Sequence, residues 1–252
     1  MNRYAIFLDI DGTLLCGRNM HPKNCEVIKR VREEGHLVFI NTGRSYGYIP
    51  EAVTKDNEYD GYVTSIGACV RAGDLILKQD LIDRDEVKKL TEYYLENKIW
   101  AKLECEEGVL YINDPKYHEG HTISEAYELD TTFKSYHPSK IFVSGIIDDK
   151  IKEELENKFM VYQHQDYYEF SGKGSSKASG MNLMLDYFKI HKERSLALGD
   201  SLNDKDMLEE AGISIAMGNA SEDIKSICDY VSCSTGDGGV GYGIAHYLLK
   251  EN

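Results

Sequence analysis

The chain has 252 residues, 42% of them hydrophobic and 10% aromatic, enough to bury a substantial core in one large domain or two small ones. Its formal charge of −14 opposes electrostatic binding to nucleic acid or to anionic membranes, and no run approaches the roughly 20 apolar residues of a membrane span. Six cysteines without a C-x-x-C pair, in a chain that starts directly in a strand, point to reduced thiols in the cytoplasm and not to a disulfide framework, a zinc site or a targeting leader.

The first predicted strand is the apolar run that ends in Asp9-Ile10-Asp11-Gly12-Thr13. Residues two apart on a strand point the same way, so both carboxylates can converge while Gly12 turns the backbone aside. Two like charges held so close need a cation or a shared proton, and an all-oxygen pair suits Mg²⁺, which takes few carboxylates and completes its shell with water and phosphate. A solvated Asp-Gly turn is the alternative. Residues 23–34 then carry Val27, Ile28 and Val31 on one helical face, with Gly35 as the stop. Leu37–Ile40 forms the second strand and ends in Asn41-Thr42-Gly43-Arg44; a third apolar stretch, Tyr62–Thr64, leads to Gly67, and a short hairpin follows over 68–78.

The middle of the chain has its own α+β pattern. It reads as a helix over 85–97, strands at 99–104 and 109–113, a helix within 115–128, a strand at 141–145, a helix over 149–157 and strands at 159–163 and 166–170. No convergent carboxylates occur there, so it is an inserted second domain. Its expected bounds are 83–171, leaving 1–82 and 172–252 as the core, and the Gly/Ser-rich 171–176 offers a hinge. From Lys177 the alternation returns: helix 177–189, strand 196–198, helix 203–211, strand 213–216, and short elements to a C-terminal helix. The fold class is therefore α/β, with a mostly parallel sheet covered by helices.

A second acidic cluster, Gly199-Asp200-Ser201-Leu202-Asn203-Asp204-Lys205-Asp206, follows the strand at 196–198. In a parallel sheet all strand C-termini share one edge, so Asp9, Asp11, Thr42, Asp200 and Asn203 can meet there. Asp204 and Asp206 also suit the acidic first turn of a helix. Lys177, taken alone, reads as a solvated side chain at a helix start.

In this order, Asp9-x-Asp11-Gly12-Thr13, Thr42-Gly43-Arg44, Lys177 and Gly199-Asp200-x-x-Asn203-Asp204 resemble the four motifs of the haloacid dehalogenase-like hydrolases. The insertion is similar to the large α/β cap of the Cof-type phosphatases, as is the segment Ala216-Met217-Gly218-Asn219-Ala220. Ile66 departs from the pattern, which often has Asn before the glycine. The resemblance implies a Rossmann-like parallel-sheet core with an inserted cap, and Mg²⁺-dependent hydrolysis of small phosphate monoesters, such as sugar phosphates or related phosphorylated metabolites. Asp9 would be the nucleophile that forms an aspartyl-phosphate, and Asp11 the general acid and base. Asp9, the Asp11 carbonyl and Asp200 would hold Mg²⁺, with Asp204 behind them. Thr42, Gly43, Arg44, Lys177 and Asn203 would contact phosphate. Two other readings use the same residues: a sugar phosphomutase, and a catalytically idle phosphate-binding regulator. Among the cap histidines and aromatics (His118, His121, His137, His164, Tyr111, Tyr167, Tyr168) none is assigned a role.

Overall fold

Over residues 3–114, 120–145 and 149–249, which the computed structural model describes, the chain divides into two units. The first comprises Met1–Gly43, Ile49–Leu77 and Ser176–Asn252; the second comprises Arg44–Tyr48 and Lys78–Ser175.

In the first unit a sheet runs in the order Tyr230–Val231, Ile213–Ala216, Ser195–Gly199, Ala5–Leu8, Leu37–Asn41, Gly61–Thr64, then the hairpin Cys69–Ala72 and Leu75–Gln79. Its first six strands are parallel, and Cys69–Ala72 turns back antiparallel to Gly61–Thr64. Ala5–Leu8 is buried at every position, as a parallel strand covered on both faces requires. Its residues alternate between two cores. Ile6 and Leu8 join Val38, Ile40, Leu196 and Leu198 under helix Pro22–Glu33, through Val27, Ile28 and Val31. Ala5 and Phe7 join Phe39 and Ala197 on the opposite face, under helix Lys177–Phe188, through Met181, Met184 and Leu185. Phe7 stacks on Phe39 with centroids 4.9 Å apart, and burying a ring of this size stabilises the fold by about 1.5–3 kcal/mol. Helix Pro22–Glu33 begins at His21, whose Nδ1 accepts from the Lys23 amide at 3.2 Å, and Gly35 at φ +90° ends it.

Register fixes the functional edge of the sheet. Leu8 lies opposite both Ile40 and Leu198, so Asp9, Asn41 and Gly199 stand at one level at the end of the sheet. The Asp9 amide still donates to Leu198 O at 3.2 Å and the Thr42 amide to Val63 O at 2.9 Å. The chain thus has its chemistry-bearing loops side by side where an open α/β sheet puts its crevice.

The second unit has a six-stranded sheet in the order His121–Ile123, Val109–Ile112, Ala101–Cys105, Pro138–Ser144, Tyr167–Gly172, Phe159–Gln163. It packs through Leu103, Leu110, Ile141, Val143 and Phe170 against Val87 and Tyr94 of helix Arg84–Glu96 and Leu155 of helix Asp149–Lys158. Its other polar positions include a buried ionic cluster. Lys140 Nζ lies 2.7 Å from Glu169 Oε1 and 3.3 Å from Glu104 Oε1, and Lys102 Nζ lies 3.0 Å from the same Glu104 oxygen. Burial raises the Glu169 carboxyl, but Lys140 and His164 together outweigh it and hold the group far below the usual carboxylate range. Glu104 Oε2 accepts from the Ser45 amide at 3.2 Å, inside the short segment 44–48 that groups with this unit.

One local expectation fails. Within 115–128, residues 115–119 and His118 lie outside the described residues, and the remainder contains the strand His121–Ile123 and the 3-10 turn Ala126–Asp130 in place of an α-helix. His121–Ile123 gains a parallel partner in Val109–Ile112, and the capping box of Glu125 and Glu128 closes after one turn. In the Gly/Ser-rich 171–176, where the two units meet in sequence, the strand runs through Gly172, Ser175 is buried and bonds Asp80 Oδ2 at 2.9 Å, and Ser176 caps a helix.

Candidate active site

Ser176 caps helix Lys177–Phe188 by accepting from the Ser179 amide at 3.1 Å, so Lys177 is the first residue of the helix. A cation is disfavoured at that end of the helix dipole. Here it is fully buried, and its Nζ lies 2.6 Å from Asp9 Oδ1 and 2.6 Å from Asp204 Oδ1. The solvated lysine read from sequence is therefore wrong, because two carboxylates compensate both the dipole and the lost water. Asn41, at the end of its strand, donates to the Lys177 carbonyl at 3.0 Å and so ties the helix start to the sheet.

Asp204 is more than a distant support. It is fully buried, and its Oδ2 accepts the amides of Asp200 and Ser201, both at 3.0 Å, which shapes the turn that aims Asp200. Asp200 Oδ1 in turn accepts from Thr13 Oγ1 at 3.1 Å. Gly199 and Gly12 are needed for close approach: a Cβ at either would collide with Asp204 or Asp200 respectively, and Gly12 has φ +81°. Asp206 Oδ2 accepts the Ala178 amide at 3.2 Å, a structural role at the helix start.

The electrostatics follow from crowding. Burial raises the Asp9 carboxyl well above its ordinary value, with Lys177 opposing and Asp204 and Asp200 adding to it. Burial lowers Lys177, but Asp204 and Asp9 overcome that and keep it charged. Burial and then the Asp204 charge push Asp200 up to about 6. One carboxylate oxygen each from Asp9, Asp200 and Asp204 lie within 4.8 Å of one another. An all-oxygen set of like charges, with one lysine to neutralise three acids, fits a hard divalent cation of the Mg²⁺ class. Lys177 and the two amides engage Asp204, so Asp9 and Asp200 are the side chains suited to ligate.

Thr42 is buried just past the strand Leu37–Asn41, which pairs with Ala5–Leu8, with its carbonyl accepting the Ile66 amide at 3.2 Å. Ser65, Ile66 and Gly67 have φ of +51°, +56° and +83°, and Gly67 passes so close to Ser176 that a Cβ there would clash. Ile66 is fully buried in a left-handed conformation that costs a branched residue about 1–2 kcal/mol, whereas the Asn common there in the resembled family tolerates it. Asn203 is half-buried and its Oδ1 accepts from Ser201 Oγ at 3.0 Å. Asp11 is exposed at the loop tip. Arg44 groups with the second unit, where it donates to Tyr48 O at 3.2 Å and lies 4.8 Å over the Tyr48 ring. Also in that unit, His164 stacks on Tyr167 at 4.1 Å and Tyr168 is buried in the core. Sequence reasoning missed Asn41, Asn219 and Thr235. The last two bond the Gly12 carbonyl, and only the segment 216–220 hinted at one of them.

The haloacid dehalogenase-like hydrolase family model matches residues 6–244. A putative phosphatase from Haemophilus influenzae is 27% identical, over 94% of this chain and 95% of its own length. The 5-amino-6-(5-phospho-D-ribitylamino)uracil phosphatase YitU of Bacillus subtilis is 26% identical, over 97% of each chain. The structure of the subclass IIB sugar phosphatase BT4131 superposes with a TM-score of 0.82 at 24% identity, over 97% of this chain and 98% of that one, a likeness of fold.

Proposed function

The chain belongs to the haloacid dehalogenase-like hydrolases of the Cof type and is a phosphatase, and we propose that it hydrolyses small phosphate monoesters, sugar phosphates or related metabolites, through an aspartyl-phosphate with Mg²⁺ as cofactor. The observation that carries this reading is the buried Lys177 ammonium 2.6 Å from Asp9, in a cluster whose acids outnumber it. Asp9 attacks phosphorus: its Oδ–P bond forms as the bond to the leaving oxygen breaks, and Asp11 gives that oxygen a proton. Water then attacks the aspartyl-phosphate, Asp11 takes its proton, and Asp9 leaves as a carboxylate. Asp9, the Asp11 carbonyl and Asp200 would hold Mg²⁺, which when bound offsets the repulsion among the carboxylates and neutralises phosphoryl oxygens. Lys177 fixes the Asp9 oxygen and supplies permanent positive charge, while the Thr42 hydroxyl, the Gly43 amide and Asn203 bind the transferring group.

We read the second unit as the cap that selects the substrate body. The names of the relatives, among them one acting on a phosphorylated ribityl compound, support a phosphorylated polyol or sugar. They give no support to a mutase or an idle regulator. All six cysteines remain thiols, in keeping with a cytoplasmic enzyme, and among the described residues no helix is long and apolar enough to cross a membrane. The test is phosphate release from a panel of phosphorylated sugars, nucleotides and cofactors, with and without Mg²⁺. Asp9→Asn should abolish it, and residual turnover above about 1% would remove Asp9 as nucleophile, since losing one costs several orders of magnitude.

A further inference from the structure

The Gly12 carbonyl is held by two side chains that the reaction does not use. Asn219 Nδ2 donates to it at 2.9 Å, and Thr235 Oγ1 donates to it as well. The two holders also fix each other: Asn219 Oδ1 accepts the Thr235 amide at 2.9 Å and lies 2.7 Å from its hydroxyl. They come from separate turns, one after strand Ile213–Ala216 and one at Thr235–Asp237. Gly218 lets these turns meet, since its amide bonds Cys233 O at 3.1 Å and a Cβ there would press on Ser234.

We propose that Asn219 and Thr235 are positioning residues for the general acid, pinning the Gly12 peptide so that the neighbouring Asp11 carboxyl reaches the leaving-group oxygen. This rests on the phosphatase reading of the site. Asp9 does not need the clamp, because its amide bonds Leu198 O at 3.2 Å and its carboxylate bonds Lys177 at 2.6 Å. Asp11 stands exposed, and the next residue, Gly12 at φ +81°, is fixed at its amide by Leu15 O at 3.2 Å and at its carbonyl by the two holders. Proton transfer needs heavy atoms within hydrogen-bond reach, and a carboxyl displaced by an ångström loses most of its effect. Asn219 is itself exposed, yet it makes two bonds at once to the catalytic loop and its partner turn.

The leaving group separates acid positioning from every other role. An alkyl phosphate such as glucose 6-phosphate departs as a poor alkoxide and needs the acid, whereas p-nitrophenyl phosphate departs as a stabilised phenolate and does not. Because Asp11 also activates water in the hydrolysis step that both esters share, the split is read in kcat/KM, which covers the steps up to departure of the leaving group: Asn219→Ala should lower it for the alkyl ester by about 10–100-fold and for the aryl ester by less than about threefold. Thr235→Val should give the same split, Thr235→Ser should restore the alkyl rate, and the double variant should lose little more than either single one, because both act on one carbonyl. Equal losses on both esters, or none on either, overturn the positioning role. Phosphate release from neither ester by the unaltered chain overturns the phosphatase reading instead.

Discussion

Lys177→Met removes the one cation of a buried cluster while keeping most of its apolar length. The ammonium sits 2.6 Å from each of two carboxylates, and at an effective dielectric near 20 each contact carries roughly 6 kcal/mol of attraction before desolvation is counted. Taking three charged groups out of water cancels most of that, but removing one partner alone strands the others, and such losses run about 3–5 kcal/mol. Urea unfolding in chelator should show a deficit of that size near neutral pH. The deficit should shrink in acid: without the lysine, burial holds the folded Asp9 carboxyl further above its unfolded value of about 3.9, so the folded variant binds the proton more tightly and loses stability as pH rises through that window. Millimolar Mg²⁺ should restore part of the loss by taking over the unpaired acids. A deficit below about 1 kcal/mol at neutral pH, or one that does not change with pH, would refute the account of Lys177 as the counter-charge of the site.

Asp200, pushed up to about 6 by burial and Asp204, sets a proton competition for the cation. Apparent Mg²⁺ affinity by calorimetry should fall about tenfold one pH unit below that value, and a flat profile would exclude Asp200 as a ligand. Gly12→Ala, which forces a side chain into φ +81° and against Asp200, should cost at least about 1–2 kcal/mol in thermal unfolding and weaken Mg²⁺ binding; an unchanged melting temperature would contradict the close approach. In the second unit, Lys140→Met removes the buried cation from Glu169 and leaves Glu104 to Lys102 and the Ser45 amide, and should cost about 3–5 kcal/mol by urea unfolding. Glu169 is depressed in the folded state, so its pairing stabilises above the unfolded value of about 4.3 and the deficit should fade below it; a deficit that persists in strong acid would show the lysine acting by packing alone.

The strand ends were the legible part of this chain. Apolar runs closing on Asp9, Asn41 and Gly199 announce a parallel sheet and its reactive edge, because burial on both faces leaves the sequence no other pattern. Lys177 was not legible by residue chemistry: a lysine opening a helix looks the same in solvent as in a buried ionic cluster, and the difference lies in carboxylates 168 and 27 residues away. Asn219 and Thr235 act on a backbone carbonyl more than 200 residues earlier, and hydrogen bonds to main chain leave no periodicity. The strand at His121–Ile123 was hidden because three residues are too few to show an alternation of two.

The order of the first sheet bears on how this protein is made. Ala5–Leu8 leaves the ribosome well before one of its two neighbours, Ser195–Gly199. Until Ser195–Gly199 has been synthesised, Ile6 and Leu8 have one unpaired flank, while most of the second unit, continuous from Lys78 to Ser175, has already emerged with nearly all of its own strand partners. Nascent chains stalled before Ser195 should therefore expose a sticky N-terminal edge beside an already protease-resistant middle, a vulnerable interval that holding chaperones are suited to cover.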